Sequence, residues 1–263
     1  MSESVVHYEA AGNIATITLD RPAAKNALSA ALMAQLAQAF DRAREDEAHV
    51  AILTGRGDAF CAGLDLREFG AARGGEAEPG WFRPDYWRAM EDFPGPIIGA
   101  INGPAVTAGF ELALACDVVI ASTNARFADT HVRVGVLPGS GLSQRLPRAI
   151  GVYRAKYLSL TGNFLSAEKA AEWVLVSHLV APQALLSTAR AIAADMLSAM
   201  PHMLAPIKRV IDDGFARTLG EGLALEAERS ARQFSDEAPQ AVAGAAFEDV
   251  RARGREQQGH DGP

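Results

Sequence analysis

Glu111 is the residue whose setting asks for a chemical explanation. It lies in "GFELALACD", between Phe110 and Leu112, with Ala113, Leu114, Ala115 and Cys116 following. A carboxylate is rarely buried unless it is paired or functional. A capping box would put Glu or Gln three residues after an N-cap at Thr107, and that residue is Phe110. Two readings stay open: a structural ion pair with an arginine, or a general acid or base working away from bulk water.

Two glycine-punctuated junctions bring a second kind of chemistry. "GDAFCAGLDLREF" follows the apolar run "HVAILTG", and its Ala62-Gly63 turn leads into a short helical stretch from Leu64 to Phe69. In "INGPAVTAGFELALACD" a strand ends at Asn102-Gly103 and a helix begins near Thr107. The first N–H groups of a helix have no internal acceptor and sit at the positive end of its dipole. Two such ends side by side form an oxyanion hole, which stabilises an enolate or a tetrahedral oxyanion. Neither segment holds the G-x-G-x-x-G dinucleotide fingerprint. "LPGSGLSQRL" is not a nucleophile elbow, because its glycines flank Ser140 directly.

These groups need a frame to hold them. "SVVHYEAAGNIATITLD" reads as two strands around a turn at Gly12-Asn13, the second alternating Ala15, Ile17 and Leu19 against Ile14, Thr16 and Thr18. Leu28, Leu32, Leu36 and Phe40 recur at every fourth position with Ser29 near the start, which predicts an amphipathic helix from Leu28. "HVAILTG", "PIIGAING" and "CDVVIAS" read as buried strands. Strands alternate with helices to about Val180, an α/β pattern, and from Pro182 onward four helical stretches follow. The expected division is a core over 1–195 and a helical cap or oligomerisation region over 196–263. "ARGGEAEPGW" (Ala72 to Trp81) is expected to be a mobile loop, and "RGREQQGHDGP" (Arg253 to Pro263) a frayed end.

Composition narrows the class. The chain has 263 residues, 49% hydrophobic and 22% charged, enough for a packed core. A net charge of −7 argues against a nucleic-acid footprint or a general basic membrane surface. Cys61 and Cys116 show neither metal-ligand spacing nor a disulfide framework and read as small core residues of a reducing compartment. The N-terminus carries no signal-peptide pattern and no apolar run is long enough to span a bilayer, so the expectation is a soluble cytoplasmic protein.

The segments "ITLDRPAAKNALS", "AFCAGLDLREF", "PIIGAINGPAVTAGFELALACDVVIAS", "ARFADTHVRVGVLPGSGLSQRLPRAIG" and "LTGNFLSAEKAAEWVLVSHLV", in this order, resemble the crotonase superfamily, also called the enoyl-CoA hydratase/isomerase family. The resemblance implies a crotonase-like α/β spiral of repeated ββα units with a C-terminal helical region, assembled as a homotrimer or a dimer of trimers. It implies an acyl-CoA thioester whose carbonyl oxygen is held by the backbone N–H groups of Leu64 and Ala108. Family members usually have glycine where Ala108 stands. A residue in a first helical turn has negative φ, so alanine is compatible with the hole.

Glu111 matches the glutamate that activates water for attack on Cβ. Twenty positions later, where the hydratase pattern has a second glutamate, the chain has His131. Histidine can donate a proton near neutral pH, so a Glu111–His131 pair is chemically feasible; the alternative is a loop histidine that shapes the pocket. Asp129 and Thr130 are placed to orient it. By the same resemblance Leu64, Asp65, Leu66 and Arg67 run along the CoA pantetheine and Lys25 faces adenine or phosphate, although a loop lysine can equally be solvated surface. Trp81, Phe82, Tyr86, Trp87 and Phe93 wall the acyl pocket or belong to the core. Arg251 and Arg253 are candidates for a CoA phosphate.

The activity implied is hydration of trans-2-enoyl-CoA to 3-hydroxyacyl-CoA. An enoyl-CoA isomerase, thioesterase or decarboxylase of the same superfamily is the alternative chemistry, and a non-catalytic acyl-CoA-binding protein the alternative class. No metal and no cofactor apart from the substrate's own coenzyme A are expected.

Overall fold

Gly12 and Asn13, with φ of 57° and 63°, close a two-residue turn between β1 (Val6–Ala11) and β2 (Ile14–Leu19). Positive φ at both turn residues matches the right-handed twist of the flanking strands, and the antiparallel ladder starts at once with Ala11 opposite Ile14. Ala15, Ile17 and Leu19 face the core as the alternation predicts. The structure is a computed structural model that describes residues 4–68, 85–236 and 245–258. The expected mobile loop, and with it Trp81 and Phe82, lies outside the described residues.

Helix α1 (Ala30–Glu45) begins two residues later than its apolar spacing suggested. Ser29 is the N-cap and accepts the Leu32 N–H at 3.2 Å. Leu28 stands outside the helix because its backbone is engaged elsewhere, in an isolated parallel bridge to Leu64.

The chain divides into two compact units, Met1–Ala205 and Pro206–Pro263. In the first, a six-stranded sheet has the order β1-β2-β3-β4-β6-β9, where β3 is Val50–Gly55, β4 Ile97–Ile101, β6 Val118–Ser122 and β9 His178–Val180. Every pairing after the hairpin is parallel. Parallel strands need crossovers, and the crossovers here visit a second sheet of order β5-β7-β8. Its strands are β5 (Pro104–Val106), β7 (Arg126–Ala128) and β8 (Phe164–Ser166).

The repeated unit is therefore legible in three dimensions. β4, β5 and helix α3 (Ala108–Leu114) form one turn of the spiral; β6, β7 and helix α4 (His131–Val134) form the next. β3, the single-residue bridge of Cys61 to Ala105 and the helical residues 66–68 form the turn before them. The passage from Asn102-Gly103 to the Glu111 helix thus contains a short strand, β5, that the sequence did not suggest. Three residues are too few to show a period, and β5 exists because Cys61 and β7 flank it.

Helix α2 (Asp85–Asp92) packs against α1, and Phe93 meets Phe40 edge-on with ring centroids 6.0 Å apart. Tyr86 and Phe93 are buried in the core and the partly buried Trp87 packs against it. Helix α8 (Leu185–Leu197) lays Leu185, Ala189 and Ala193 against Val50, Ile52, Ile98, Ala100 and Ile120. Between them lie α5 (Leu142–Ile150), α6 (Val152–Thr161) and α7 (Ala167–Glu172).

Helix α9 (Pro201–Phe215) runs into the second unit, which continues with α10 (Leu219–Asp236) and α11 (Ala245–Gln258). There Asp213 pairs with Arg229 at 2.5 Å. Arg251 and Arg253 lie on α11. The end of the chain is not frayed from Arg253, because α11 continues to Gln258. No helix among the described residues is long and apolar enough to cross a membrane.

Candidate active site

The site is built where successive turns of the spiral present their helix starts to one another. Phe60 and Cys61 donate their N–H groups to the Pro104 carbonyl, both at 3.1 Å, and the Cys61 carbonyl accepts the Val106 N–H at 2.9 Å. One turn on, β5 pairs with β7, Val106 opposite Ala128, and the Thr107 N–H donates to the Ala128 carbonyl at 2.8 Å. These bonds bring the Leu64, Ala108 and His131 segments alongside one another.

Leu64 and Ala108 are neighbours across the first of these contacts. Gly63 has φ of 95°, and a Cβ added there would lie 2.9 Å from the Val106 carbonyl oxygen and 3.6 Å from Ala108 N. The backbone entering Leu64 therefore passes directly against the start of α3. Neither the Leu64 N–H nor the Ala108 N–H has an acceptor among the described residues. Ala108 has a negative φ; the unusual backbone falls one residue earlier, on Thr107, with φ of 53° and ψ of −112°. Thr107 is the N-cap of α3 but makes no side-chain cap bond, its hydroxyl pairing instead with that of Thr130.

Glu111 is 3% exposed. Its Oε1 accepts the Ser140 N–H at 2.8 Å and the Leu142 N–H at 3.3 Å. Gly141, at φ of 103°, is the N-cap of α5, so the carboxylate receives two N–H groups from the start of another helix. Glu111 forms no ion pair among the described residues, which sets aside the arginine-pair reading. Oε2 has no protein partner there either. "LPGSGLSQ" is therefore a carboxylate anchor. Its signal was present in the sequence, as glycines on both sides of Ser140 just before an amphipathic helix, but nothing local says which acid it serves.

His131 opens α4 and is 7% exposed; Asp129, the residue after β7, is 1% exposed. The His131 Nδ1 lies 2.6 Å from Asp129 Oδ1. Burial raises the Asp129 carboxyl, but hydrogen bonds from the His131 ring, Ser159 and the His131 N–H outweigh it and hold it below the ordinary carboxylate range.

The oxyanion segment is braced from the other side by the chain around Lys25. The Lys25 carbonyl accepts the Ala62 N–H at 3.0 Å, the Gly63 carbonyl accepts the Leu28 N–H at 2.8 Å and the Leu28 carbonyl accepts the Asp65 N–H at 3.0 Å. Lys25 itself is exposed, as are Leu66 and Arg67. Asp65 is buried and its carboxylate is used internally: Arg21 Nη1 donates at 2.6 Å, and the Arg67 N–H donates at 3.0 Å. The Arg21 hydrogen bond is the main reason its carboxyl lies below the ordinary value. Asp65 thus fixes the turn that carries Leu64.

Sequence reasoning missed Arg21, and it missed Asn26, a fully buried residue with φ of 55° whose side chain bonds to Arg21 N, Arg56 O and Ala59 O. Cys61 is buried beside the hole, which pushes its thiol up to about 12 and leaves it a packing residue. Tyr86 lies close enough to Cys61 and Glu111 for both to raise its phenol, after burial itself, well above the ordinary value.

The chain is similar to proteins already known. The family model for enoyl-CoA hydratase/isomerase matches residues 9–250. A probable peroxisomal enoyl-CoA hydratase 1 of Arabidopsis thaliana is 43% identical over 237 residues, 89% of this chain and 89% of the relative. The 2,3-dehydroadipyl-CoA hydratase of Escherichia coli is 37% identical over 227 residues, 86% of this chain and 88% of the relative. Among solved structures, an enoyl-CoA hydratase subunit I of Geobacillus kaustophilus superposes with a TM-score of 0.83 at 32% identity, covering 94% and 96% of the two chains. An enoyl-CoA hydratase of Mycobacterium avium gives 0.71 at 41% identity over 89% and 98%. The fold is that of the crotonases, and the chain belongs to the enoyl-CoA hydratase/isomerase family.

Proposed function

We propose that the protein adds water across the double bond of a trans-2-enoyl-CoA, giving a 3-hydroxyacyl-CoA. The observation that carries this reading is a buried carboxylate with one oxygen that meets no partner among the described residues, on the same short helix whose first N–H, like the neighbouring Leu64 N–H, has no acceptor among them. The thioester oxygen accepts hydrogen bonds from Leu64 N–H and Ala108 N–H. Glu111 Oε2 takes a proton from water as the water oxygen bonds to Cβ, and the π electrons move onto the thioester oxygen. His131 supplies the proton that Cα then receives. Donors aimed at developing negative charge contribute about 2.7–4 kcal/mol each to such a transition state.

Asp65 sets the Leu64 turn, while the exposed Leu66, Arg67 and Lys25 take the pantetheine and phosphate end of the substrate. The segment 196–263 serves as the cap and assembly region of a homotrimer or dimer of trimers. Support comes from exposed apolar side chains, Tyr153, Tyr157, Leu160 and Phe164 in the first unit and Ile211, Phe215 and Leu219 in the second, of the kind that mark contact surfaces. A cytoplasmic setting is supported by the bacterial relatives, although the Arabidopsis relative is named as peroxisomal.

The test is loss of enoyl absorbance from crotonyl-CoA and medium-chain enoyl-CoAs. Wild type is expected to turn them over, and Glu111→Gln to lose a factor of about 10² to 10⁴. Glutamine keeps an acceptor for the Ser140 and Leu142 N–H groups, so the variant is expected to fold. A wild type inactive on 2-enoyl-CoAs but active on a 3-enoyl-CoA would move the reading to an isomerase. Binding without turnover of either would leave an acyl-CoA-binding protein.

A further inference from the structure

His131 is held more tightly than its turn requires. The turn after β7 needs the backbone bond from the His131 N–H to Asp129 Oδ1, 3.2 Å, and the Thr130 carbonyl accepting from Arg133 and Val134. It does not need the ring. Yet the ring meets the same carboxylate at 2.6 Å, and the Ser159 side chain of α6 is near enough to help hold that carboxyl below its ordinary range. The pair lies away from solvent, Asp129 being 1% exposed and His131 7%. A carboxylate only accepts hydrogen bonds, so the ring proton in this contact sits on Nδ1 and Nε2 is the nitrogen left over. The neighbouring Thr130 hydroxyl pairs with Thr107, the residue before Ala108, which ties this assembly to the oxyanion hole and the Glu111 helix.

We propose that Asp129, steadied by Ser159, is a positioning residue that fixes His131 with Nδ1–H on its carboxylate and Nε2 as the working atom; the inference rests on the hydratase reading above. The ring enters the step protonated on both nitrogens. The Nε2–H bond breaks as a Cα–H bond forms with the enolate's electron pair, and the ring is left neutral with its proton still on Nδ1. The proton that Glu111 took from water returns through solvent to Nε2. Asp129 stays ionised throughout, orienting the ring and stabilising its charged form.

Two measurements test this. The first is the ¹⁵N spectrum of histidine-labelled protein without substrate, at a pH where the ring is neutral. The expected signature for His131 is a protonated Nδ1 and an unprotonated Nε2; the opposite tautomer would overturn the assignment. The second is a cycle on crotonyl-CoA with His131→Ala, Asp129→Asn and the double variant. Asp129→Asn is expected to lower kcat by about 10- to 100-fold with KM within about twofold, and to cost almost nothing further once His131 is alanine. Losses that multiply, or a loss under about threefold in Asp129→Asn, would show that Asp129 does not act through His131. Ser159→Ala is the milder variant if the asparagine fails to fold, with a smaller loss of the same kind expected and an unchanged kcat counting against the proposal. A wild type without hydratase activity would sink the functional reading alone, the tautomer then deciding the Asp129 assignment.

Discussion

The Thr107 and Thr130 hydroxyls share a hydrogen bond, and through it the residue that opens the Glu111 helix is fastened to the residue beside His131. Thr107 holds φ of 53°, a conformation that a β-branched residue rarely adopts. Its N–H bond to Ala128 and its carbonyl bonds from Phe110 and Glu111 keep it there. Thr107→Val deletes the hydroxyl and keeps the strain, at a cost of about 0.5–1.5 kcal/mol. Thr107→Gly deletes the same hydroxyl but relieves about 1–3 kcal/mol of backbone strain. Even after glycine's extra chain entropy of about 0.5–1 kcal/mol, the glycine variant is expected to melt at or above the valine variant. The reverse order would argue against a strained backbone at this position.

Gly109 should tolerate no side chain. A Cβ there would lie 2.1 Å from the Cys61 carbonyl oxygen, and that carbonyl cannot retreat because it accepts the Val106 N–H at 2.9 Å. Gly109→Ala is expected to destabilise the fold by about 1–3 kcal/mol or more, and to reduce hydration further by spreading the Leu64 and Ala108 donors apart. Thermal melting and the enoyl-CoA assay measure the two effects. A variant that melts and turns over like wild type would refute the close approach.

The Arg21–Asp65 pair makes stability depend on acid pH. Its hydrogen bond from Arg21 holds the Asp65 carboxyl below its ordinary value in the folded state. The stabilisation is therefore complete above the unfolded value of about 3.9 and is lost as pH falls through the lower folded value. Denaturant unfolding of wild type and Asp65→Asn should show a constant gap near neutrality that narrows once pH drops below about 4. A gap that stays the same across that range would mean the pair contributes nothing through its charge.

Cys61 and Cys116 are both buried, and burial pushes the Cys61 thiol up to about 12 against a lowering hydrogen bond from Gly63. Only a thiolate attacks thiol reagents. Native protein near neutral pH is expected to leave both cysteines unmodified, with both reacting promptly in denaturant. Rapid labelling of the native protein at Cys61 would show that the oxyanion segment opens.

Much of the site could be read from local residue patterns. Glu111 stood out because a carboxylate among Phe110, Leu112 and Ala113 has no solvent face to occupy, and the structure buries it. Gly63 marked a turn that only a residue with freedom at positive φ makes comfortably, and it makes one at 95°. Ser29, the Gly12-Asn13 hairpin and the apolar strands were equally local, each written within a few residues of where it acts. His131 was legible as a position, and so were its neighbours Asp129 and Thr130.

What lay beyond the sequence is everything that depends on pairing distant segments. β5 and β7 are three residues each and become strands only because β5 lies between Cys61 and β7, and β7 between β5 and β8. Ser140 and Leu142 are 29 and 31 positions from the carboxylate they hold, and Arg21 is 44 from Asp65. Which N–H meets which oxygen over such spans is set by the register of the spiral, and one turn of that register decides every contact at once. The amino-acid sequence determined which chemical groups this protein has. The tertiary structure alone decided that Glu111 is anchored by backbone rather than by arginine, and that His131 is backed by an acid, because those facts exist only where separate turns of the chain are packed side by side.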